Sequence, residues 1–483
     1  MGNLLFLPLA TCLLLAAATS ILRTPTLNRF AGIGAASVIL ATGVSSLVSV
    51  LAHGPLSAFG STLRVDSLSA FMLTVVGAVG LNSTWGGLVS KESARGGAWV
   101  YPTLIVLFLG TMSLAVIADN MGVMWVAIEA TTVTTAFLVG YQNTRRSLEA
   151  AWKYVVIGSV GVAIAFLGIV LIYAATLSAG TPTLSWAILH SSNLGLDPSV
   201  IKVAVALAIL GFATKSGLAP MHSWLPDAHS QAPAPVSGLM SGVLLSVAFY
   251  AILRVQAIAG AVLGTGFVRW LLIGTGILSM LVSAALIWAQ KDLKRMLAYS
   301  SIEHMGIVAV AAGVGGRLAI GAAMLHVLVH GLAKSSVFVL SGRIAATEGT
   351  TQIGDLRGLL EHRRGLANPF LAAMVALVGM PPFALFFTEV AIIFAGFQRG
   401  LGWVTILLVL LLLLNFAGLV RHSTLMIFGR ADKLVDNQEH PDHSWHGPSL
   451  PIIIALSVAI LIPFLPGISS VLVRIADVLA VSR

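Results

Sequence analysis

Runs of about 19 apolar residues, separated by short polar punctuation, recur along almost the whole chain. They fall near residues 3–21, 30–52, 68–90, 100–118, 120–141, 153–178, 200–219, 234–258, 267–290, 296–314, 318–343, 367–397, 402–429 and 449–472. Each is long enough to cross a bilayer as a helix, and together they predict an all-α polytopic membrane protein with about fourteen transmembrane helices. Residues 119–121 leave only a tight turn between the fourth and fifth. The opening run, Leu4 to Leu22, lacks a basic leading region and is read as the first span, not a cleaved signal.

Proline interrupts the pattern twice. The seventh segment runs into Pro220 and Pro226, and the twelfth contains Pro381-Pro382. Broken segments at corresponding places in two halves point to inverted repeats and a midplane pathway. The expected arrangement is one transmembrane domain over 1–483: N-terminal helices 1–3 (1–99), a first five-helix repeat (100–258), a second (267–429) and helix 14 (449–472).

Composition narrows the class. The 483 residues are 57% hydrophobic and 9% charged, with a mean hydropathy of +0.96, which no soluble core accommodates. The net charge of +9 comes from basic residues scattered beside apolar segments, which argues for membrane orientation and against nucleic acid as a partner. Odd-numbered connections and their flanks, Lys91, Arg95 and Lys433 among them, carry 17 Lys and Arg; even-numbered connections and the termini, Arg254, Arg269 and Arg483 among them, carry eight. Both termini are therefore predicted to face outward, with the odd connections inside. A single cysteine, Cys12, excludes an internal disulfide and any cysteine-ligated redox centre, so no cofactor or metal is assigned to this chain.

Six ionisable residues well within the apolar windows are singled out: Glu129, Lys215, His326, His330, Lys334 and Glu389. A charge at the bilayer centre costs about 2.5–3.5 kcal/mol even on the lenient scale, so such residues mark ion or proton paths more often than structural ion pairs. His326, His330 and Lys334 recur every four residues, on one helical face over roughly 12 Å. Imidazole titrates near neutral pH and a desolvated lysine releases its proton readily, whereas arginine does not. Metal ligation by the histidine pair is the competing reading, but it needs further ligands that Glu129 or Glu389 would have to supply. Glu129 with Lys215, and Lys334 with Glu389, are expected to pair, each carboxylate holding its lysine charged until it is drawn away.

Two polar stretches remain. Residues 220–229 mix breakers with His222, Asp227 and His229, as an entry funnel would, or as an interfacial linker with a Trp anchor. The run Glu439-His440-Pro441-Asp442-His443-Ser444-Trp445-His446 imitates a metal site, yet in a polar loop it reads as solvated histidines.

Several motifs carry a resemblance: WVAIEATTVTTAFLVGY around Glu129, GFATKSGLAPMHSWLPDAHSQAPAPVSGLMSGVLL around Lys215, DLKRMLAYSSIEHMGIV from Asp292, LHVLVHGLAKSSVFVLSG around Lys334, and PPFALFFTEV around Glu389. Over about the whole chain they resemble the antiporter-like proton-translocating subunits shared by complex I, multisubunit cation/proton antiporters and membrane-bound hydrogenases. AYSSIEHMG and PPFALFFTE look most like the F component of hydrogenase-4 and its formate hydrogenlyase relatives. The resemblance implies a gating pair in Glu129 and Lys215, a central relay in Lys334, a terminal relay in Glu389, and intermediate positions for His326 and His330. His222, Asp227, His229, Ser246 and His304 become accessory pathway residues. Ser246 stands where many relatives carry Lys or His, so the link from Lys215 to the eleventh span needs water or another route.

The function so implied is proton translocation in the cell inner membrane, coupled to redox chemistry in partner subunits, with this chain holding no catalytic centre of its own. Partners would be other membrane subunits and a peripheral, hydrogenase-like redox module with nickel–iron and iron–sulfur centres. The rivals are a sodium/proton antiporter subunit, a purely structural subunit, and an ion-energised subunit for inorganic carbon uptake.

Overall fold

The computed structural model describes residues 2–60, 62–88, 99–191, 194–430 and 449–480. Helices α1 (Leu7–Leu22) and α2 (Pro25–His53) lead into a hairpin of β1 (Leu56–Ala58) and β2 (Leu63–Val65), antiparallel with Leu56 opposite Val65. Then come α3 (Ser67–Gly86), α4 (Val100–Ile117), α5 (Met121–Val139), α6 (Arg145–Ser178) and the short α7 (Trp186–Ser191). The seventh span is α8 (Pro198–Lys215), a break, and α9 (Trp224–Gln231). The eighth joins α10 (Ala234–Leu239) to α11 (Leu245–Leu263) through a π turn at Met240–Leu244. The second half holds α12 (Gly266–Ile287), α13 (Leu293–Val314), α14 (Gly316–Glu348), the one-turn α15 (Leu359–His362), α16 (Arg364–Leu377), α17 (Ala384–Gln398) and α18 (Gly402–Phe428). The chain closes with α19 (Leu450–Leu461) and α20 (Ile468–Leu479).

Twelve helical stretches among the described residues are long and apolar enough to cross a membrane, and the bent pair α19–α20 makes a thirteenth only when taken as one broken span. The shorter α16 and α17 flank the Pro381-Pro382 break and occupy the predicted twelfth span. Both proline breaks are therefore real interruptions.

Several boundaries differ from expectation, three of them with structural consequences. The third helix ends at Gly86, not residue 90. The sixth starts at Arg145, not 153, because Thr144 and Ser147 form a reciprocal capping box. Its 34 residues extend about 51 Å, well beyond a hydrocarbon core of about 30 Å, so Glu149 and Lys153 stand clear of the apolar layer. The fourteenth is not one straight span: Pro463, Pro466 and Gly467 end α19, and α20 turns away by 84°. The loop motif Glu439–His446, with Lys91, Arg95, Lys433 and Arg483, lies outside the described residues.

Position in the bundle follows polarity. The central stretches of Ala234–Leu263, Leu293–Val314 and Gly316–Glu348 are wholly buried, whereas those of α6 and α18 are 39% buried and lie on the outside of the bundle. Helices α13 and α14, rich in Ser, His, Glu and Lys, are thus ringed by more apolar helices, as the cost of polar groups in hydrocarbon requires. The π turn touches α14 backbone to backbone: a Cβ on Gly242 would lie 2.9 Å from the Gly331 carbonyl oxygen, and one on Gly331 would lie 2.6 Å from that of Gly242. Only glycine fits both places. Beside them the Ser241 and Ser301 hydroxyls hydrogen-bond at 2.7 Å.

Arg254, expected at a connection, lies inside α11 and is 1% exposed. Its two terminal nitrogens each donate to the Asp66 carboxylate at 2.8 Å, and its guanidinium lies 3.6 Å from the Trp186 ring centre. Burial alone would raise the Asp66 carboxyl, but Arg254 and the Ser69 N–H outweigh it and hold the group below its ordinary value. This pair ties the start of α3 to the eighth span. Since guanidinium keeps its proton, its role is to hold the helices together.

Candidate proton pathway

Lys215 ends α8 at the first break, fully buried. Its ammonium donates to the Thr132 hydroxyl at 2.8 Å and to the Tyr154 hydroxyl. Glu129, half-buried one turn before Thr132 on α5, accepts from Thr132 at 3.1 Å and from Ser159 at 2.7 Å. The expected direct pairing of Glu129 with Lys215 is therefore replaced by a hydroxyl bridge. The reason is helical geometry: Thr132 lies three residues on from Glu129, on the same face, and stands between the two charges.

Lys334 is also fully buried, yet its partners differ from those expected. It donates to the Leu297 carbonyl at 2.6 Å and to the Ser300 hydroxyl, both on α13. No hydrogen bond or ion pair joins it to Glu389 among the described residues. The carboxylate whose charge acts on Lys334 is Glu303, three residues past Ser300 and 4% exposed, and the charge of Glu303 also reaches Glu389. The Glu303 Oε2 atom has no hydrogen-bond partner among the described residues. Glu389 packs against Gly379 in the second break, where a Cβ would lie 2.7 Å from its Oε2.

Between Lys334 and Glu389 stand three buried imidazoles. His304 Nδ1 is 3.1 Å from His326 Nε2, and His326 Nδ1 is 3.0 Å from the Thr388 hydroxyl, next in sequence to Glu389. The His304 and His330 ring centres are 4.5 Å apart. A hydrogen-bonded imidazole can accept a proton on one nitrogen and release one from the other, so the row suits proton transfer. Among the described residues no group of His, Cys, Asp and Glu has the arrangement of a metal site.

The accessory residues divide. His229 is fully buried on α9, its Nδ1 2.9 Å from the Leu225 carbonyl and its Nε2 without a partner among the described residues. Its ring lies 6.1 Å from that of Trp224 and 5.9 Å from that of Phe338. Trp224 in turn neighbours Tyr154, and Phe338 neighbours Lys334. An imidazole thus occupies the space between the two lysine sites. Ser246 is buried but makes no hydrogen bond to a described residue. His222 is half-buried in the first break with Nδ1 unpartnered among the described residues. Asp227 belongs to an ion-pair cluster, 3.0 Å from Lys153 and 3.2 Å from Arg295, which joins α6, α9 and α13 near the surface.

Sequence reasoning missed Glu303, Thr132, Tyr154, Ser159 and Ser300. Glu303 was findable, because it stands in the tenth apolar segment beside His304. The hydroxyls carried no signal, since Ser and Thr are ordinary in membrane helices, bonded to their own backbone.

Fold and site define a polytopic membrane protein whose innermost helices carry a row of protonatable side chains. Residues 118–415 match the family NADH:quinone oxidoreductase/Mrp antiporter, TM, and the chain belongs to it. It is 38% identical over 317 residues to a hydrogenase-4 component F homolog of Methylacidiphilum infernorum, a match spanning 65% of this chain and 66%, just under two thirds, of that protein. It is 30% identical over 387 residues to NADH-quinone oxidoreductase subunit N of Desulforudis audaxviator, covering 77% of this chain and 75% of that one. Its fold matches a chain of the membrane-bound sulfane sulfur reductase, an archaeal respiratory membrane complex, with a TM-score of 0.86 at 24% identity over 99% of this chain and 97% of that one.

Proposed function

We propose that this chain is the proton-translocating membrane subunit of a multisubunit energy-converting complex of the hydrogenase-4 or formate hydrogenlyase kind. The observation that carries the reading is the row itself: Lys215, His229, Lys334, Glu303, His330, His304 and His326, all buried, with the half-buried Glu129 and Glu389 at its ends. In this reading Glu129 acts on Lys215 through Thr132. When the carboxylate is displaced, Lys215 yields its proton toward His229 and Lys334. From Lys334 the charge passes by way of Glu303 and the imidazoles to Glu389. The bridge through His229 supplies the route that Ser246 does not.

The two proline breaks, five spans apart, support a division into two five-helix units over 100–258 and 267–429. The Lys/Arg asymmetry supports a cell inner membrane setting with both termini outward. Moving one charge against 100 mV requires about 2.3 kcal/mol, which a peripheral redox module with nickel–iron and iron–sulfur centres would provide.

The test is copurification of partners followed by reconstitution into proteoliposomes. Proton movement driven by the electron donor, independent of sodium, is expected. Sodium-dependent proton exchange without a redox substrate would instead establish antiport. Unchanged proton movement in Lys215→Ala and Lys334→Ala would reduce the chain to a structural role.

A further inference from the structure

At the membrane face where α11, α13 and α17 end and α12 and α14 begin, α20 roofs a cavity of about 500 Å³. Three arginines line it, Arg269, Arg317 and Arg399, against one acidic residue, Asp477. Arg317 already has a counter-ion, its Nε donating to Asp477 at 2.6 Å. Arg269 and Arg399 have no acidic partner among the described residues, and the Arg269 Nε is buried without any hydrogen bond to them. The floor is the Gly315-Gly316 turn, both residues at positive φ, with the Arg399 guanidinium about 3.6 Å from where a Gly316 Cβ would be. The site is thus a concave surface with two uncompensated guanidiniums and a backbone that lets a ligand approach closely.

Its depth in the membrane identifies the ligand. Trp270, next to Arg269, stacks on Trp403 with ring centres 5.9 Å apart, and the two are 48% and 62% exposed. Tryptophans exposed at a helix end mark the headgroup level. Helix α20 points the same way: it turns 84° from α19, buries Ile475 and Ala476, and exposes Arg474 and Asp477, as a helix lying in the interface does. Apolar Val268 and Ile320 also line the cavity, beside the arginines. A phosphate with glycerol and the first acyl carbons attached satisfies both kinds of wall, whereas a free anion satisfies only one.

We propose that this cavity binds the phosphate headgroup of an anionic phospholipid, held by Arg269 and Arg399 beneath α20. The proposal is independent of the proton pathway, which lies in the central helices.

The full chain, purified in detergent and stripped of lipid, would be titrated with short-chain phosphatidylglycerol, the matching phosphatidylcholine, and inorganic phosphate, with thermal unfolding and native mass spectrometry as readouts. Phosphatidylglycerol should raise the unfolding temperature and be retained as a bound adduct, while the other two should not. Arg269→Gln with Arg399→Gln should weaken this binding by about tenfold or more, as expected for two lost charge-assisted hydrogen bonds. Arg399→Gln alone, at an exposed side chain whose loss leaves the fold intact, should weaken it by a smaller factor. Arg421→Gln, beside Trp288 and outside the cavity, should leave it unchanged. Equal retention of phosphatidylcholine, or undiminished phosphatidylglycerol binding in Arg399→Gln, overturns the proposal. Stabilisation by inorganic phosphate as strong as by the lipid would make this a free-anion site and overturn the lipid assignment.

Discussion

The two buried lysines sit in unlike surroundings. Lys215 is held by neutral hydroxyls, and its carboxylate, Glu129, is half-buried and bridged to it by Thr132. Lys334 is held by a carbonyl and a hydroxyl of α13, faces the charge of a carboxylate buried almost as deeply as itself, and continues into three imidazoles. The first site has the parts of a switch, because moving one carboxylate changes the field on one ammonium. The second has the parts of a wire, with several groups close enough to pass a proton in steps. Two buried lysines in one bundle therefore need not do the same chemistry; the side chains around them divide the labour.

That contrast can be broken most severely at Lys334. Lys334→Met removes the group where both halves meet, and redox-driven acidification in proteoliposomes of the assembled complex should fall by about 100-fold or more, the usual weight of a positioned acid–base group. Wild-type rates in an assembled Lys334→Met complex would dissolve the distinction altogether.

A large effect of another kind is expected at Asp66, where charge holds and does not move. Asp66→Ala should cost about 3–5 kcal/mol of stability by stranding Arg254, with proton movement per folded molecule unchanged. Because the Asp66 carboxyl ionises more readily in the folded chain than in the unfolded one, its contribution is complete above about pH 4 and lost as pH falls below that. Thermal unfolding of Asp66→Asn should accordingly lack part of the wild-type decline on the acid side.

Thr132→Val keeps the shape of the first site and deletes its bridge. Proton movement should drop about tenfold, the value of one hydrogen bond to a charged group, and Thr132→Ser should restore most of it. An unaltered rate in Thr132→Val would mean that Glu129 acts on Lys215 through space. The smallest effect belongs to Ser246→Ala, expected to change the rate by less than about twofold, since its hydroxyl engages no described partner, whereas His229→Leu should fall toward the Lys334→Met level. A large loss in Ser246→Ala with a normal His229→Leu would reverse the assignment of the crossing between the halves.

Much of this architecture could be read in the sequence, because hydrocarbon is an unforgiving solvent. Apolar runs marked the spans, and Pro220 and Pro381-Pro382 located the breaks, each just past a glycine at positive φ, Gly217 and Gly379, that ends the preceding helix. Lys215, His326, His330, Lys334 and Glu389 stood out because ionisable groups are costly there. What could not be read were partners. Which carboxylate faces Lys334 depends on how α13 and α14 pack, and no periodicity within one helix discloses its neighbour. The same limit hid the Asp66 to Arg254 pair, whose members are 188 positions apart, and the turn of α20, where Pro466-Gly467 looks like one more irregularity inside an apolar run.

The meeting of Gly242 and Gly331 has a mechanical consequence. With no side chain on either, the eighth and eleventh spans share a contact that has no padding, three residues from Lys334 along α14. Any movement of the π turn would reach the backbone beside that lysine directly, without soft atoms between to absorb it.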